Sequence, residues 1–473
     1  MQSPSQRWQS LCNINSRFAR TLRVFPPTRG RFSLRRRERH IHFSAAPFYS
    51  PHMPPDEDDT ARNVRLGVRA RRWARARARK TPDDARAVDV RVVSYNLLAP
   101  SSLDKHKREL YRVGSHRLES LKRARAVACE LESLNADVVC AQEVEKEALE
   151  VVSERLRRSG TQAAAMATRA GKADGCVVLY NARKFEAESA ETIYFDELER
   201  GLGDNVAVAV VLRHRVRDDF RVICVSAHLL FNPKRGDVKV GQARVLLDTV
   251  GRLRRSVSER GMVAHCVICG DYNFSPRSAL YEFFSTGRIN LAQLNRRELS
   301  GSLVDVMAND DDSDDDGVDV PECASETETL AMQAFRRGWD ANGFALAFGD
   351  KSVPFPSRTG IELKLTATSE NGLDVEEVRN LMRLTAGGAV LHHALEGELR
   401  SAYATVDGQE PEFTTCHGKF CGTNDYVWHT ANGFEPTAVL KCPNVEDVLR
   451  HGRLPSVRYP SDHISLAVDF LVE

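Results

Sequence analysis

Six places in this chain set polar residues at the end of an apolar run, and together they specify one kind of chemistry. The clearest is Cys266-Val267-Ile268-Cys269-Gly270-Asp271-Tyr272-Asn273-Phe274-Ser275-Pro276. The apolar run from Met262 to Cys269 has the length and bulk of a buried strand, and it breaks at Gly270. Asp271 and Asn273, two residues apart on extended chain, point the same way and reach one reacting centre. The same design recurs at Asn96, Glu143, His228, Asp425 and the pair Asp462-His463. Singly each has a plainer reading: a Gly-Asp-x-Asn turn, a strand-end cap, a helix-start acid or a satisfied core histidine. Their repetition at strand ends favours a shared crevice, where ligand sites gather. Hard oxygen donors without paired cysteines suit Mg²⁺ or Mn²⁺ and not zinc. With such an ion on a phosphoryl group, a carboxylate or imidazole can position a water for in-line attack. Phosphate ester hydrolysis is the chemistry implied. There is no Gly-rich Walker loop and no Gly-x-Ser-x-Gly elbow, which disfavours nucleotide-driven motors and serine hydrolases.

The elements that must position these residues alternate strand and helix. A strand beginning near Val88 to Val90 ends at Asn96, and Leu118, Leu121, Ala128, Leu131 and Leu134 predict an amphipathic helix over Arg117–Leu134. Asp137–Ala141 reads as a strand ending at Gln142-Glu143, followed by a polar helix over Lys146–Arg158 and a short strand over Cys176–Tyr180. Asn205–Leu212 and Phe220–Ala227 read as paired strands, the second ending at His228. A helix near Val238–Glu259 precedes the central strand, and Pro276 opens a short helix from Ser278 to Phe284. Asp425 begins a strand, and Asp462-His463 feeds the last one, Ile464–Val472. The alternation predicts a layered α/β domain, its sheet parallel or mixed.

The net charge of +2 conceals an asymmetry. Residues 1–87 carry about +13 and the rest about −11, nearly all of it between Asp305 and Glu328. The remainder is close to neutral, so global charge does not mark a nucleic-acid binder. Residues 1–37 hold no Asp or Glu while Arg punctuates Ser, Phe and Leu, the composition of a mitochondrial or plastid transit peptide. The plainer reading is a basic tail, with the protein in cytoplasm or nucleus. Arg62 to Lys80 suits a longer presequence, a basic helix on RNA or a nuclear signal. The chain therefore divides into a basic, disordered extension over 1–87 and a globular domain over 88–473 with an acidic insertion near 305–328. That insertion includes the solvated run Asp310 to Asp319, and Pro321 and Cys323 spoil its likeness to a calcium loop. No motif stands out from Trp339 to Arg400. Eleven scattered cysteines suit a reducing compartment, with Cys266 and Cys269 as buried thiols. No apolar run is long enough to cross a membrane.

Ser94-Tyr95-Asn96, Gln142-Glu143, Ala227-His228, Gly270-Asp271-Tyr272-Asn273, Asp425-Tyr426 and Ser461-Asp462-His463, in this order, resemble the endonuclease/exonuclease/phosphatase superfamily. The resemblance spans 90–470 and implies a four-layer α-β-β-α sandwich with its site at one end of the paired sheets. Ser94 to Ala99, Asn232 to Gln242 and Asn295 to Gly301 look like the carbon-catabolite-repressor-type deadenylases, their plant homologues above all. Angel and nocturnin proteins are related, and Glu412 to His417 has an Angel-like flavour. The resemblance implies Glu143 as principal Mg²⁺ ligand, with Asn96 holding metal or phosphate and Asp462 contacting the metal–water network. Asp271 would orient or deprotonate the water, Asn273 and His228 would stabilise phosphoryl oxygens, and His463 would pair with Asp425. Whether Asp271 or His463 is the base stays open, as does one ion or two, and Mn²⁺ is an alternative to Mg²⁺. Lys234, Arg235 and Lys239 could meet phosphates or form a solvated basic loop.

The expected activity is shortening of poly(A) or other RNA 3′ tails by a Mg²⁺-dependent 3′-exoribonuclease. The alternatives are a phosphatase for RNA 2′,3′-cyclic ends or for a nucleotide cofactor, and a catalytically retired RNA-binding protein. The partner is RNA with a single-stranded 3′ end, with no membrane. No leucine-rich repeats precede the domain, which argues against docking into the large deadenylase assembly. Asn424 replaces an aliphatic residue usual in the family, and the divergent 305–400 segment falls where substrate-shaping loops would lie.

Overall fold

The computed structural model describes residues 59–76, 87–106, 110–111, 120–198, 202–290, 294, 299–301, 390–450 and 453–472. The transit-peptide reading, the acidic insertion and most of 305–400 lie outside these residues. In chain order the strands are β1 (Trp73–Arg75), β2 (Val88–Asn96), β3 (Val138–Gln142), β4 (Thr161–Thr168), β5 (Gly175–Asn181) and β6 (Phe185–Tyr194). There follow β7 (Val206–His214), β8 (Phe220–His228), β9 (Val263–Asp271), β10 (Arg288–Asn290), β11 (Val390–His392) and β12 (Leu399–Ser401). The last are β13 (Thr415–Cys416), β14 (Cys421–Gly422), β15 (Asp425–Thr430), β16 (Phe434–Leu440) and β17 (Leu466–Val472). The helices used below are α1 (Asp59–Ala70), α2 (Pro100–His106), α3 (Ser120–Leu134), α4 (Lys146–Leu156), α5 (Phe195–Leu198), α6 (Gly236–Ser258) and α7 (Ala279–Thr286).

Two sheets dominate. One has seven strands in the order β1-β16-β17-β2-β3-β5-β4, the other six in the order β12-β15-β9-β8-β7-β6. Both are mixed: β2 runs parallel to β3 and β8 parallel to β9, and the remaining pairings are antiparallel. Each parallel step needs a crossover, supplied by α3 in the first sheet and α6 in the second. Side chains alternate along the strands, so one face of each sheet meets the other sheet. Val90, Val92, Val138 and Val178 pack there against Val208, Val222, Val267 and Val427. The opposite face of the first sheet is covered by α3 and α4 through Val127, Leu131, Val152 and Leu156. That of the second is covered by α6 and α7 through Leu246, Val250, Leu280 and Phe284. The result is the four-layer α-β-β-α sandwich. Burial on both faces explains why β9 reads as a continuous apolar run instead of an alternating one.

Two expectations need correction. The fold does not begin at residue 88. Helix α1 lays Val64 on Ala126 and Cys129 of α3, and β1 pairs antiparallel with β16, Trp73 opposite Leu440. The basic composition concealed this because the anchoring cation, Arg71, is buried and hydrogen-bonded. The cysteines are also not all free: Cys416 and Cys421 form a disulfide across the β13–β14 hairpin. Cys266 and Cys269 remain buried thiols. They face opposite sides of the sheet and so cannot share a ligand.

Candidate active site

Strand register builds the site. In the six-stranded sheet His228 lies opposite Asp271 across β8–β9, and Asp425 lies opposite Asp271 across β15–β9. Gly270 permits this close approach, since a Cβ there would run into the Ala227 carbonyl. In the seven-stranded sheet Asn96 lies opposite Gln142, so Glu143 emerges beside it. Glu143 has a left-handed backbone, φ 51°, as does Asn273, φ 52°. Non-glycine residues hold that conformation only where the surroundings fix it, often at functional sites. Leu466 pairs with Ser94, which brings the Ser461-Asp462-His463 turn to the end of β2, where Ser461 Oγ donates to the Asn96 carbonyl at 2.7 Å.

Asn96 joins the halves. Its Nδ2 donates to Glu143 Oε1 at 2.9 Å and to Asp271 Oδ2 at 3.1 Å, and its Oδ1 accepts from the Leu98 amide at 2.9 Å. Both amide hydrogens are thus engaged, and Asn96 works as a bracket between two carboxylates. The other Glu143 oxygen accepts from the Ala99 amide at 3.0 Å. Asp271 Oδ2 lies 3.5 Å from His228 Nε2 and 3.6 Å from His463 Nε2. His463 Nδ1 is 2.8 Å from Asp425 Oδ2, which also accepts from Thr414 Oγ1 at 2.6 Å. Asn273 donates from Nδ2 to the Leu229 carbonyl at 3.0 Å, so one of its donors holds the chain after β8. Asp462 accepts from Tyr111 OH at 2.7 Å and lies 4.0 Å from His463 Nε2.

Burial sets the charges. It pushes the Asp271 carboxyl up to about 7, against the pull of His463 and with further push from Asp425 and Glu143. Burial alone would lower His463, but Asp425, Asp271 and Asp462 surround it and raise its imidazole well above the usual range. His463 is therefore the cation of the group. His228 is lowered to about 4 by burial and by Arg169, and stands neutral.

Several contributors were not legible in the sequence. Thr414 carries no strand-end signature, and Tyr111 lies in an irregular segment. Arg123, on a helix face that reads as solvated, is buried and donates to the carbonyls of Leu97 and Leu98. Arg169 pairs with Asp174 at 3.6 Å and Asp204 at 2.7 Å, on the turn whose Gly175 bonds Val144 next to Glu143. Lys239 differs from expectation. It is buried and donates to the Asn273 carbonyl at 2.7 Å and to Ser300 Oγ at 3.2 Å, so it supports the site from beneath. Arg235 pairs with Asp237 at 3.0 Å.

The donor set fits a divalent cation: carboxylate oxygens, an amide oxygen and imidazole, with no thiolate. Among the described residues, Asp271, Asp425 and His463 alone bring three candidate ligand atoms within 4.8 Å of one another. That trio is tied together internally, with His463 Nδ1 2.8 Å from Asp425 Oδ2. Glu143, only partly buried, is the more accessible anchor.

The model of the Endonuclease/Exonuclease/phosphatase family matches residues 93–463, which include every site residue from Asn96 to His463. The chain belongs to this family. Family membership makes it a hydrolytic phosphoesterase by kind. Among its relatives, carbon catabolite repressor protein 4 homolog 5 of Arabidopsis thaliana is 29% identical over 400 residues, covering 80% of this chain and 76% of that one. Protein angel homolog 2 of Homo sapiens is 25% identical over 418 residues, covering 83% and 71%. The crystal structure of ANGEL2, a 2′,3′-cyclic phosphatase, in complex with adenosine-2′,3′-vanadate has the same fold. Its TM-score is 0.61 at 24% identity, with 85% of this chain and 99% of that one covered. Both the repressor-type and the Angel likeness of the sequence words are thereby borne out. Among the described residues no helix is long and apolar enough to cross a membrane.

Proposed function

We propose that this protein is a Mg²⁺-dependent 3′-exoribonuclease that shortens poly(A) or other single-stranded RNA 3′ tails. The observation that carries the reading is Asp271: a buried carboxylate bracketed by Asn96, facing His228 and His463, and one amide away from Glu143. A carboxyl near neutrality can accept a proton at working pH, whereas a positively charged His463 cannot. Asp271 is therefore the base and His463 the electrostatic partner. Glu143, oriented by Asn96 Nδ2, would hold the cation together with Asp462, and the cation would neutralise phosphoryl charge when bound.

The residues then divide the work. Asp271 orients the attacking water and takes its proton as the oxygen adds to phosphorus. The bond to the preceding 3′ oxygen breaks, that oxygen takes a proton from solvent and remains on the shortened RNA as its new 3′ hydroxyl, and a nucleoside 5′-monophosphate is released. His463, held by Asp425, and neutral His228 face the phosphoryl oxygens and oppose the growing negative charge. The likeness to repressor-type relatives supports an RNA tail as substrate. A second reading, removal of a 2′,3′-cyclic phosphate from an RNA end, is favoured by the fold shared with ANGEL2. Product identity separates them. The purified full chain is given Mg²⁺ and two 5′-labelled RNAs, one ending in a run of A and one in a 2′,3′-cyclic phosphate. A ladder shrinking from the 3′ end with release of AMP is expected. Opening of the cyclic end without shortening would overturn the nuclease reading.

A further inference from the structure

Arg71 follows α1, far ahead of the strand ends in sequence, yet its side chain is fully enclosed. Its guanidinium donates to Ser465 O at 2.6 Å, Ser465 Oγ at 2.9 Å, Lys441 O at 2.9 Å and Leu440 O at 3.3 Å. Ser465 Oγ in turn donates to Glu130 Oε1 at 2.7 Å, and Tyr95 OH donates to Glu130 Oε2 at 2.8 Å. Arg71 and Glu130 are themselves 3.9 Å apart. This is a closed, buried network, and its two far ends adjoin the site. Tyr95 immediately precedes Asn96, and Ser465 lies two residues after His463.

The same segment grips the other side of the histidine turn. Gly67 of α1 lies so close to it that a Cβ there would sit 2.8 Å from the Arg458 carbonyl and 3.3 Å from the Tyr459 ring. Residues 458–465, which carry Asp462 and His463, are thus held at their start by α1 and at their end by Arg71. Nothing else in the phosphoester chemistry uses this segment, and the family match begins only after it.

We infer that Arg71 is a positioning residue: through Ser465 and the Glu130–Tyr95 link it fixes His463 and Asn96 relative to each other. The fork geometry suits this, because one guanidinium reaches the carbonyls of Leu440 and Lys441 at the end of β16 and of Ser465 just before β17 together. A lysine would keep the charge and lose the fork. The inference rests on the reading of His463 and Asn96 as working parts of a phosphoester-hydrolysing site. Its consequence is a loss of rate with little change in substrate binding, because small misplacement of working groups costs turnover first.

The test compares the full-length wild type with Arg71→Ala, Arg71→Lys and Gly67→Ala. The first readout is kcat and KM on the A-tailed RNA. The second is the ¹³C-histidine NMR spectrum, in which the His463 imidazole is assigned by its loss in His463→Ala. Arg71→Ala is expected to lower kcat by about 10- to 100-fold with KM within about threefold, and to move the His463 resonance. Arg71→Lys should recover part of both, and Gly67→Ala should move the same resonance. If Arg71→Ala does not fold, the lysine and Gly67 variants carry the test. Wild-type kcat and an unmoved His463 resonance, with only a lower melting temperature, would overturn the inference and make Arg71 a staple. Failure of the wild type to turn over RNA would count against the proposed substrate alone, and the His463 spectrum would still decide the positioning role.

Discussion

Asp271 and His265 sit near opposite ends of β9, and burial moves both toward their neutral forms. For Asp271 that raises the carboxyl to about 7, which suits a base. For His265 it lowers the imidazole to about 4, with Arg254 and Arg217 adding to the effect. His265 stacks on Phe434 with ring centroids 5.5 Å apart and has no catalytic part to play. The sign of its contribution follows from linkage. The unfolded chain binds the proton near pH 6.5 and the folded one only near 4, so stability is full above 6.5 and declines as pH falls toward 4. A shift of that size is on the order of 3 kcal/mol. His265→Phe, which keeps an aromatic surface, should therefore flatten the fall of melting temperature between pH 6.5 and 4. An unchanged acid slope would show that His265 does not titrate in this way. At this scale the sequence was most legible. Asn96, Glu143, Asp271, Asp425 and His463 are all where their strand-end positions placed them. Thr414 and Tyr111 were hidden because a hydroxyl that serves a carboxylate leaves no local signature. Lys239 misled because its partners, Asn273 and Ser300, are distant in sequence.

The strands that carry the site were legible because both their faces are buried. Those at the margins were not. Strand β4, Thr-Gln-Ala-Ala-Ala-Met-Ala-Thr, is rich in alanine and lies at one edge of its sheet, so its propensity argues for helix. Strand β6 is the opposite case, an edge strand whose residues are mostly half-buried and polar. Helix α1 and β1 were concealed further by their basic composition, because Arg71, which joins them, is buried only through partners 369 to 394 residues away. A chain beginning at residue 88 would lose β1, uncover the Leu440 edge of β16 and leave Glu130 buried without its cation. Breaking one side of a buried pair costs roughly 3–5 kcal/mol. Such a chain should melt roughly 4–6 °C below the full-length protein. Equal melting temperatures for the two would mean that the docked segment contributes nothing to stability.

Taken whole, the molecule is a pair of mixed sheets whose register delivers working side chains from both to one end. Gln142 Nε2 donates to Ser226 Oγ at 3.0 Å, and Ser226 Oγ donates to the Ala141 carbonyl at 2.8 Å, tying the sheets together just beneath that end. The four-layer arrangement itself came from the resemblance of the strand-end words, since periodicity alone left the sheet parallel or mixed. The central claim is that Asp271, set by this register, is the base for metal-assisted hydrolysis at an RNA 3′ end. The direct measurement is single-turnover release of AMP from 3′-labelled A-tailed RNA by wild-type and Asp271→Asn protein, in Mg²⁺ and in EDTA. The account predicts release by the wild type in Mg²⁺ alone and a loss of about a thousandfold in Asp271→Asn. Release by a folded Asp271→Asn protein at the wild-type rate would contradict it.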